Sequence, residues 1–435
     1  MEKTLTKIKA LLATGFFHIV GSSVINKIIA FLSSVVLIRI LTKTEYGAFT
    51  YAWNIYSIVL VLNGMGIESG VLQLASERGG DPEYTDQVSR FGARFGLRFN
   101  GLLVAVLLGI GLFAPMKIQA GRPLLCALCA LPVFQLLFHL MLSYLRAQKR
   151  NQEYARLQVT HTILVFAACA VCAFLFREMG MVMGHYIACI AACLVGLVAF
   201  RIRLILPKAS ELRAEDRKPL LKISFISMLN NGLSQMMYLL DVFVLGIVDP
   251  QETILASYKV ATLIPAALTF IPLSLVVYLY PYFAEHRGDG VWCLRRYKQI
   301  LLGLGGLNLV ISAVLFFGAP LIVKLFFGAA YLDAVPVFRL LSVNYFFSGT
   351  FRILSGNLLV TQRKLKYNLA VAIVACSLNV AADYFCITWW GAMGAAIATC
   401  SVVLLTSVMN TAYLVYTFRK NGQSAATALP GEGQE

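Results

Sequence analysis

The chain has 435 residues, 59% of them hydrophobic and only 13% charged, and its mean hydropathy is +0.75. Such a balance excludes an ordinary water-soluble enzyme and points to an all-α polytopic membrane protein. The formal charge of +16 does not argue for nucleic acid, because the basic residues are scattered over loop ends and not gathered on one face. Anionic lipid headgroups are their natural neighbours.

A bilayer span takes roughly 20 apolar residues. About twelve such segments follow in chain order: 15–39, 47–69, 96–116, 123–145, 157–177, 181–202, 223–248, 254–281, 299–319, 333–359, 367–389 and 391–417. Lysines precede the first, as in a signal peptide, but no small-residue cleavage site follows. The apolar run continues through Asn26 and Lys27 to Arg39, so it reads as a retained helix. The longest internal polar stretch, 203–222, separates six segments from six. The expected organisation is a six-helix bundle over 1–206, a cytoplasmic linker over 207–222, a second six-helix bundle over 223–420, and a disordered cytoplasmic tail over 421–435. No loop is long enough to fold as a soluble domain, so the activity belongs within the membrane.

Basic residues occupy alternate gaps. Twenty-seven of the 37 Lys and Arg fall in one set of gaps, among them Arg90, Arg94, Arg98, Lys149, Arg150, Arg217 and Arg363. Eight fall in the other set: Arg39, Lys43, Lys117, Arg122, Arg177, Lys259, Lys324 and Arg339. The bias toward cytoplasmic loops puts both termini in the cytoplasm. Only Lys27 and Arg352 remain, both inside apolar segments.

The two halves resemble each other. Gly47-x-Phe49-x-x-Ala52 corresponds to Ala256-x-Tyr258-x-x-Ala261, and Gln148-Lys149-Arg150 to Gln362-Arg363-Lys364. Glycines at 180 and 184 correspond to glycines at 391 and 394. Three matches in one order point to a parallel repeat, an arrangement typical of transporters. Nine of the ten cysteines lie in apolar segments; Cys126-x-x-Cys129 and Cys169-x-x-Cys172 lack nearby His or acidic partners and read as packing residues, not a metal site. His18, His139, His161 and His185 read as structural.

The stretch from Leu37-Ile38-Arg39 through Thr42-Lys43-Thr44-Glu45-Tyr46-Gly47 to Gly64-Met65-Gly66-Ile67 resembles the opening signature of a known branch of transporters. It is the polysaccharide-transport branch of the multidrug/oligosaccharidyl-lipid/polysaccharide exporter superfamily. Asp241-Val242-Phe243-Val244-Leu245-Gly246, Pro281 and the run Gly391 to Thr399 are similar too. The resemblance implies two six-helix bundles in a V and a flippase that moves polyprenyl-diphosphate-linked oligosaccharides outward. Peptidoglycan-precursor flippases of the superfamily carry a further Arg-Asp pair in helix 1, where this chain has Ser33 and Ser34. That departure points to an O-antigen, capsule or exopolysaccharide unit.

Ionisable residues inside a membrane are functional candidates by default. Lys27, Arg352 and Lys259 are the cations expected to meet a diphosphate; the alternative is that their long side chains snorkel to the headgroups. Lys27 also matches the cavity-lining basic position of the peptidoglycan-precursor flippases. Asp241, Asn379, Asp383 and Thr399 come to one depth, about 9–12 Å below the outer surface at ~1.5 Å per residue. Their oxygens suit a sodium ion or a shared proton, and they are similar to the sodium site of those flippases; the alternative is interhelical hydrogen bonding. Glu68, at the end of the second segment, is a candidate gate, and Asn230, Asn231 and Gln235 are candidate cavity-lining residues.

The expected function is thus cation-coupled flipping of a lipid-linked oligosaccharide in a bacterial cytoplasmic membrane. No cofactor is expected beyond a coupling sodium ion or proton. Its expected partners are the lipid-linked oligosaccharide, membrane lipids, a glycan polymerase and a chain-length regulator, without nucleic acid. Covalent chemistry is not required, so the chain is not read as an enzyme. A multidrug cation antiporter of the same fold and a membrane glycan polymerase are the competing readings.

Overall fold

The computed structural model describes residues 16–78, 81–202 and 211–427, and the regular elements among them are all helical. Helix α1 spans Phe16–Ile40 and α2 spans Lys43–Leu60. The start of α2 is set by a capping box: Thr42 Oγ1 accepts from the Glu45 N–H at 3.3 Å, and Glu45 Oε2 accepts from the Thr42 N–H at 2.8 Å.

The second expected span is broken. A turn at Asn63–Gly66 separates α2 from α3, Ile67–Glu77, and Gly64, Met65 and Gly66 have φ of 53°, 53° and 70°. The break is built around buried Asn100 on α4, Pro82–Phe113. Its Oδ1 accepts from the Gly64 N–H at 2.7 Å, and its Nδ2 donates to Asn63 Oδ1 at 2.7 Å and to the Pro132 carbonyl at 2.8 Å. Backbone groups freed by a break at membrane depth need such internal partners. Glu68 therefore opens a second helix and does not end one, a correction to the expected span of 47–69.

Helices α5, Gly121–Leu128, and α6, Leu131–Ala147, form a bent pair at 46°. Helix α7 covers Asn151–Val198. A straight helix of 48 residues would run ~72 Å, more than twice the ~30 Å hydrocarbon core. It is instead a hairpin: Phe176 and Arg177 leave helical geometry, and a Cβ on Gly180 would lie 2.0 Å from the Cys172 carbonyl oxygen.

The second half repeats the pattern. It contains α8 (Ala214–Val248), α9 (Glu252–Leu268), α10 (Phe270–Glu285) and α11 (Gly290–Phe327). After a 3₁₀ turn at Ala329–Ala334 come α12 (Val335–Phe347), a π turn at Ser348–Arg352, α13 (Ile353–Thr361) and α14 (Leu365–Thr427). Helix α14 reverses at Gly391, whose φ of 54° and ψ of −134° match the 53° and −134° of Arg177. A Cβ on Gly394 would lie 2.0 Å from the Cys386 carbonyl oxygen. The repeat register thus pairs Arg177 with Gly391 and Gly180 with Gly394, three residues away from the pairing suggested by glycines alone. Further equivalents are the N-cap residues Asp81 and Asp289, buried Asn100 and Asn308, and the helix-ending Lys149 and Arg363, with φ of 59° and 56°.

Counting α2–α3, α5–α6, α9–α10 and α12–α13 as broken spans, and α7 and α14 as hairpins, the described helices are consistent with about twelve crossings. Among the described residues, six helices are individually long and apolar enough to cross a membrane, or seven with the bent pair. Their outward faces are apolar: Phe113, Leu302 and Phe317 are 86%, 81% and 78% exposed, as lipid-facing residues are.

Backbone contacts in space divide the chain into two compact units, Met1–Leu239 with Gln251–Thr253, and Leu240–Pro250 with Ile254–Glu435. This division lies further along than the polar stretch at 207–222. Residues 214–222 are already helical, and the first part of α8 packs into the first unit, where Gly66 and Gly70 leave room for Ser224, Met228 and Leu220. The expected tail at 421–435 likewise begins as helix, continuing to Thr427. Asn421 anchors it by donating to the Arg287 carbonyl at 3.2 Å and to Gln362 Oε1 at 3.3 Å. The first unit is centred on Ile67, Val71, Leu136, Leu140 and Leu157, the second on Phe283, Tyr297, Leu354, Leu358 and Phe418.

Candidate functional site

Four residues chosen for their common depth meet in the second unit. Asp241 comes from α8, Asn379 and Asp383 from the first arm of α14, and Thr399 from its second arm. The i, i+4 spacing puts Asn379 and Asp383 on one face. The hairpin at Gly391 then returns Thr399 to the same level.

Asn379 sits between the carboxylates. Its Nδ2 donates to Asp241 Oδ1 at 2.9 Å and to Asp383 Oδ2 at 2.6 Å. Asp241 Oδ2 accepts from Thr399 Oγ1 at 2.7 Å and from the Tyr258 hydroxyl at 2.9 Å. Asp383, Tyr258, Asn379 and Asp241 are 0%, 1%, 2% and 7% exposed. Asp383 Oδ1 is buried with no hydrogen-bond partner among the described residues.

Two buried carboxylates joined through one amide repel each other if both are ionised, and desolvation adds to the cost. Among the described residues, neither forms an ion pair with Lys, Arg or His. One positive charge, a proton or a monovalent cation, would relieve the repulsion, and the unpartnered Asp383 Oδ1 is where such a charge has an acceptor waiting.

Tyr258 was not among the residues chosen from sequence. It lies on α9 in the segment that marks the repeat, but nothing in a lone tyrosine announces a bond to a helix α8 carboxylate. Next to it, Lys259 is half-buried. Arg352 ends the π turn and is half-buried, its Nε donating to Ser348 Oγ at 3.3 Å.

In the first unit, Lys27 is exposed on α1. Glu68 Oε2 lies 3.8 Å from His139 Nδ1, so a histidine read as structural stands beside the candidate gate. Asn231 and Gln235 are exposed on α8, while the side chain of Asn230 lies outside the described residues, as does that of His18. Among the described residues no group of three or more His, Cys, Asp or Glu is placed to hold a metal ion.

Residues 12–286 match the family described as polysaccharide biosynthesis protein. The chain belongs to that family. A relative, the EPS I polysaccharide export inner membrane protein EpsE of Ralstonia solanacearum, is 34% identical over 131 residues, which is 30% of this chain and 30% of the relative's length. Among solved structures, an inward-facing multidrug resistance MATE transporter of the MOP superfamily aligns with a TM-score of 0.77 at 13% identity, covering 92% of this chain and 96% of the other. Lipid II flippase MurJ, inward closed, aligns at 0.67 and 15% identity over 93% and 90%. A MOP superfamily transporter from Pyrococcus furiosus, described as having a binding pocket of reverse polarity, aligns at 0.63 and 13% identity over 94% and 96%.

At these identities the structural likeness establishes the fold. The family match and the fold are thus two separate findings: the chain belongs to the polysaccharide biosynthesis protein family, and it has a fold like that of transporters of the MOP superfamily. The family match reaches Asp241 and Tyr258 but ends before Asn379, Asp383 and Thr399. The association of those three with Asp241 therefore rests on geometry.

Proposed function

We propose that the protein is a flippase that carries polyprenyl-diphosphate-linked oligosaccharide units from the inner to the outer leaflet by cation-coupled alternating access. The buried cluster of Asp241, Tyr258, Asn379, Asp383 and Thr399 carries this reading, because its one unpartnered carboxylate oxygen suits a transient positive charge. In this reading a sodium ion or proton entering between Asp241 and Asp383 neutralises the pair, and its release restores their repulsion, so the cluster has two states of different energy. Residues that would hold the cation are the two aspartates with Thr399, and Asn379 keeps the carboxylates in register. Lys27, Arg352 and Lys259 supply positive charge for the diphosphate, while the polyprenyl chain stays in lipid. The membrane is the bacterial inner membrane, with both chain ends in the cytoplasm, where 27 of the 37 basic residues also lie.

Deleting the gene should trap lipid-linked repeat units on the cytoplasmic leaflet, detected by their resistance to an impermeant glycan-modifying reagent. Single units accumulating on the outer leaflet would instead indicate a polymerase and end the flippase reading. Asp383→Asn in reconstituted vesicles should abolish the dependence of transport on an imposed sodium or proton gradient. Unchanged dependence would remove the ion site.

A further inference from the structure

We propose that a basic cleft at the start of α4 binds the phosphorylated headgroup of a lipid in the adjoining leaflet. The cleft has a volume of about 280 Å³ and is lined by Arg90, Phe91, Arg94, Phe95 and Arg98 of α4 and by Arg217 of α8. All of these belong to the first unit, whereas the acidic cluster belongs to the second.

The three α4 arginines recur at every fourth residue, so they form one ladder along a single face. Like charges at that spacing repel, and a stable ladder therefore calls for anions beside it. Two carboxylates partly answer this. Asp86 Oδ2 lies 3.7 Å from Arg90 Nη2, and Glu211 lies 3.9 Å from Arg94 and 3.1 Å from Arg217. Four guanidinium groups facing two carboxylates leave positive charge in excess.

Arg90 is the most telling of the four. Its side chain is only 14% exposed, and its Nε and Nη1 are buried without a hydrogen-bond partner among the described residues. Buried donors on a charged group are costly unless an acceptor arrives. The planar guanidinium fork suits a phosphate better than a point-like acceptor.

Arg217 is held ready for the same ligand. Its Nε donates to the Leu212 carbonyl at 3.1 Å, and its guanidinium sits 5.6 Å from the centroid of the Phe91 ring.

Depth selects a lipid over a soluble anion. From Arg90 to Arg98 the helix rises ~12 Å, and the apolar segment begins at residue 96. The ladder therefore runs through the headgroup layer, ~5–7 Å thick on each side of the bilayer. Phe91 and Phe95 offer the cleft an apolar wall where the stem of a lipid would lie. The substrate's diphosphate and the phosphate of a bulk anionic phospholipid share this chemistry.

The test uses the full-length protein in neutral detergent, titrated separately with polyprenyl diphosphate and with phosphatidylglycerol, with binding counted by native mass spectrometry. Arg90→Gln should weaken binding about tenfold, as expected for loss of charge-assisted hydrogen bonds. Arg287→Gln, which removes an exposed charge elsewhere, should leave binding unchanged. Weakening confined to polyprenyl diphosphate assigns the cleft to the substrate headgroup; weakening that includes phosphatidylglycerol assigns it to bulk anionic lipid. Either result supports the site. Undiminished binding of both ligands by Arg90→Gln and by the Arg90→Gln/Arg94→Gln double variant would overturn it, as would equal weakening by Arg287→Gln. If the glutamine variant fails to fold, Arg90→Lys keeps the charge, loses the fork and is read in the same way. The measurement involves no transport, so it stands or falls separately from the flippase reading.

Discussion

At the scale of single residues, the acidic cluster depends on which donor reaches which oxygen. Tyr258 donates to Asp241 Oδ2 at 2.9 Å, an oxygen it shares with Thr399. Tyr258→Phe keeps the ring and removes one hydrogen bond to a charged acceptor, a change of about 1.5–3 kcal/mol. The apparent affinity for the coupling ion, measured from the gradient dependence of transport, should shift about tenfold or more. Asn379→Leu removes the amide between the carboxylates and brings their repulsion forward. Loss of a partner to a buried charge costs about 3–5 kcal/mol, so this variant should melt well below the native protein in detergent, and Asp383→Asn in the same chain should recover part of the loss. The carboxylates and the amide were legible in the sequence because their spacing alone puts them at one depth. Tyr258 was not, since its role depends on how α9 packs against α8.

At the scale of elements, the helix breaks define the architecture more sharply than the helices do. The hairpins of α7 and α14 close at Gly180 and Gly394, each pressed against a carbonyl of the opposite arm. Gly180→Val or Gly394→Val should prevent stable folding, seen as loss of the monodisperse peak in detergent chromatography. Gly109 on α4 has open space around it, so Gly109→Ala should raise stability by about 0.5–1 kcal/mol in a denaturant titration. Buried Asn100 supports the α2–α3 break, and Asn100→Leu should cost about 1–3 kcal/mol by stranding the Gly64 N–H. The expected span of 47–69 ran through Gly64 and Gly66 as one helix, revealing neither the break there nor the helix that resumes beyond it to Glu77. A break inside a span and the end of a span look alike when only hydropathy is read, because both are short polar interruptions.

At the scale of the whole molecule, two copies of one helical plan carry different polar contents. The first unit holds Asn100 at the position where the second holds Asn308, yet among the described residues the aspartate cluster is found in the second unit only. Duplication sets the frame and later divergence sets the chemistry, which is the usual division of labour between fold and site. Because the helix ends at Lys149 and Arg363 are equivalent, reporter domains inserted after either residue should report the same side of the membrane, and a reporter near Arg122 the opposite side. Finding Lys149 and Arg363 on opposite sides would contradict the parallel repeat.

By itself the sequence determined that the chain lives in a membrane, how many times it crosses, and which carboxylates lie at one depth. Apolar length, charge alternation and helical rise are properties of the chain read along one dimension. Only the tertiary structure decided that Asn379 joins Asp241 to Asp383, that Tyr258 completes the group, and that Arg90 finds no acceptor for two of its donors among the described residues. Those outcomes depend on the rotation of each helix about its axis and on the neighbour it meets, and residue spacing within one helix constrains neither.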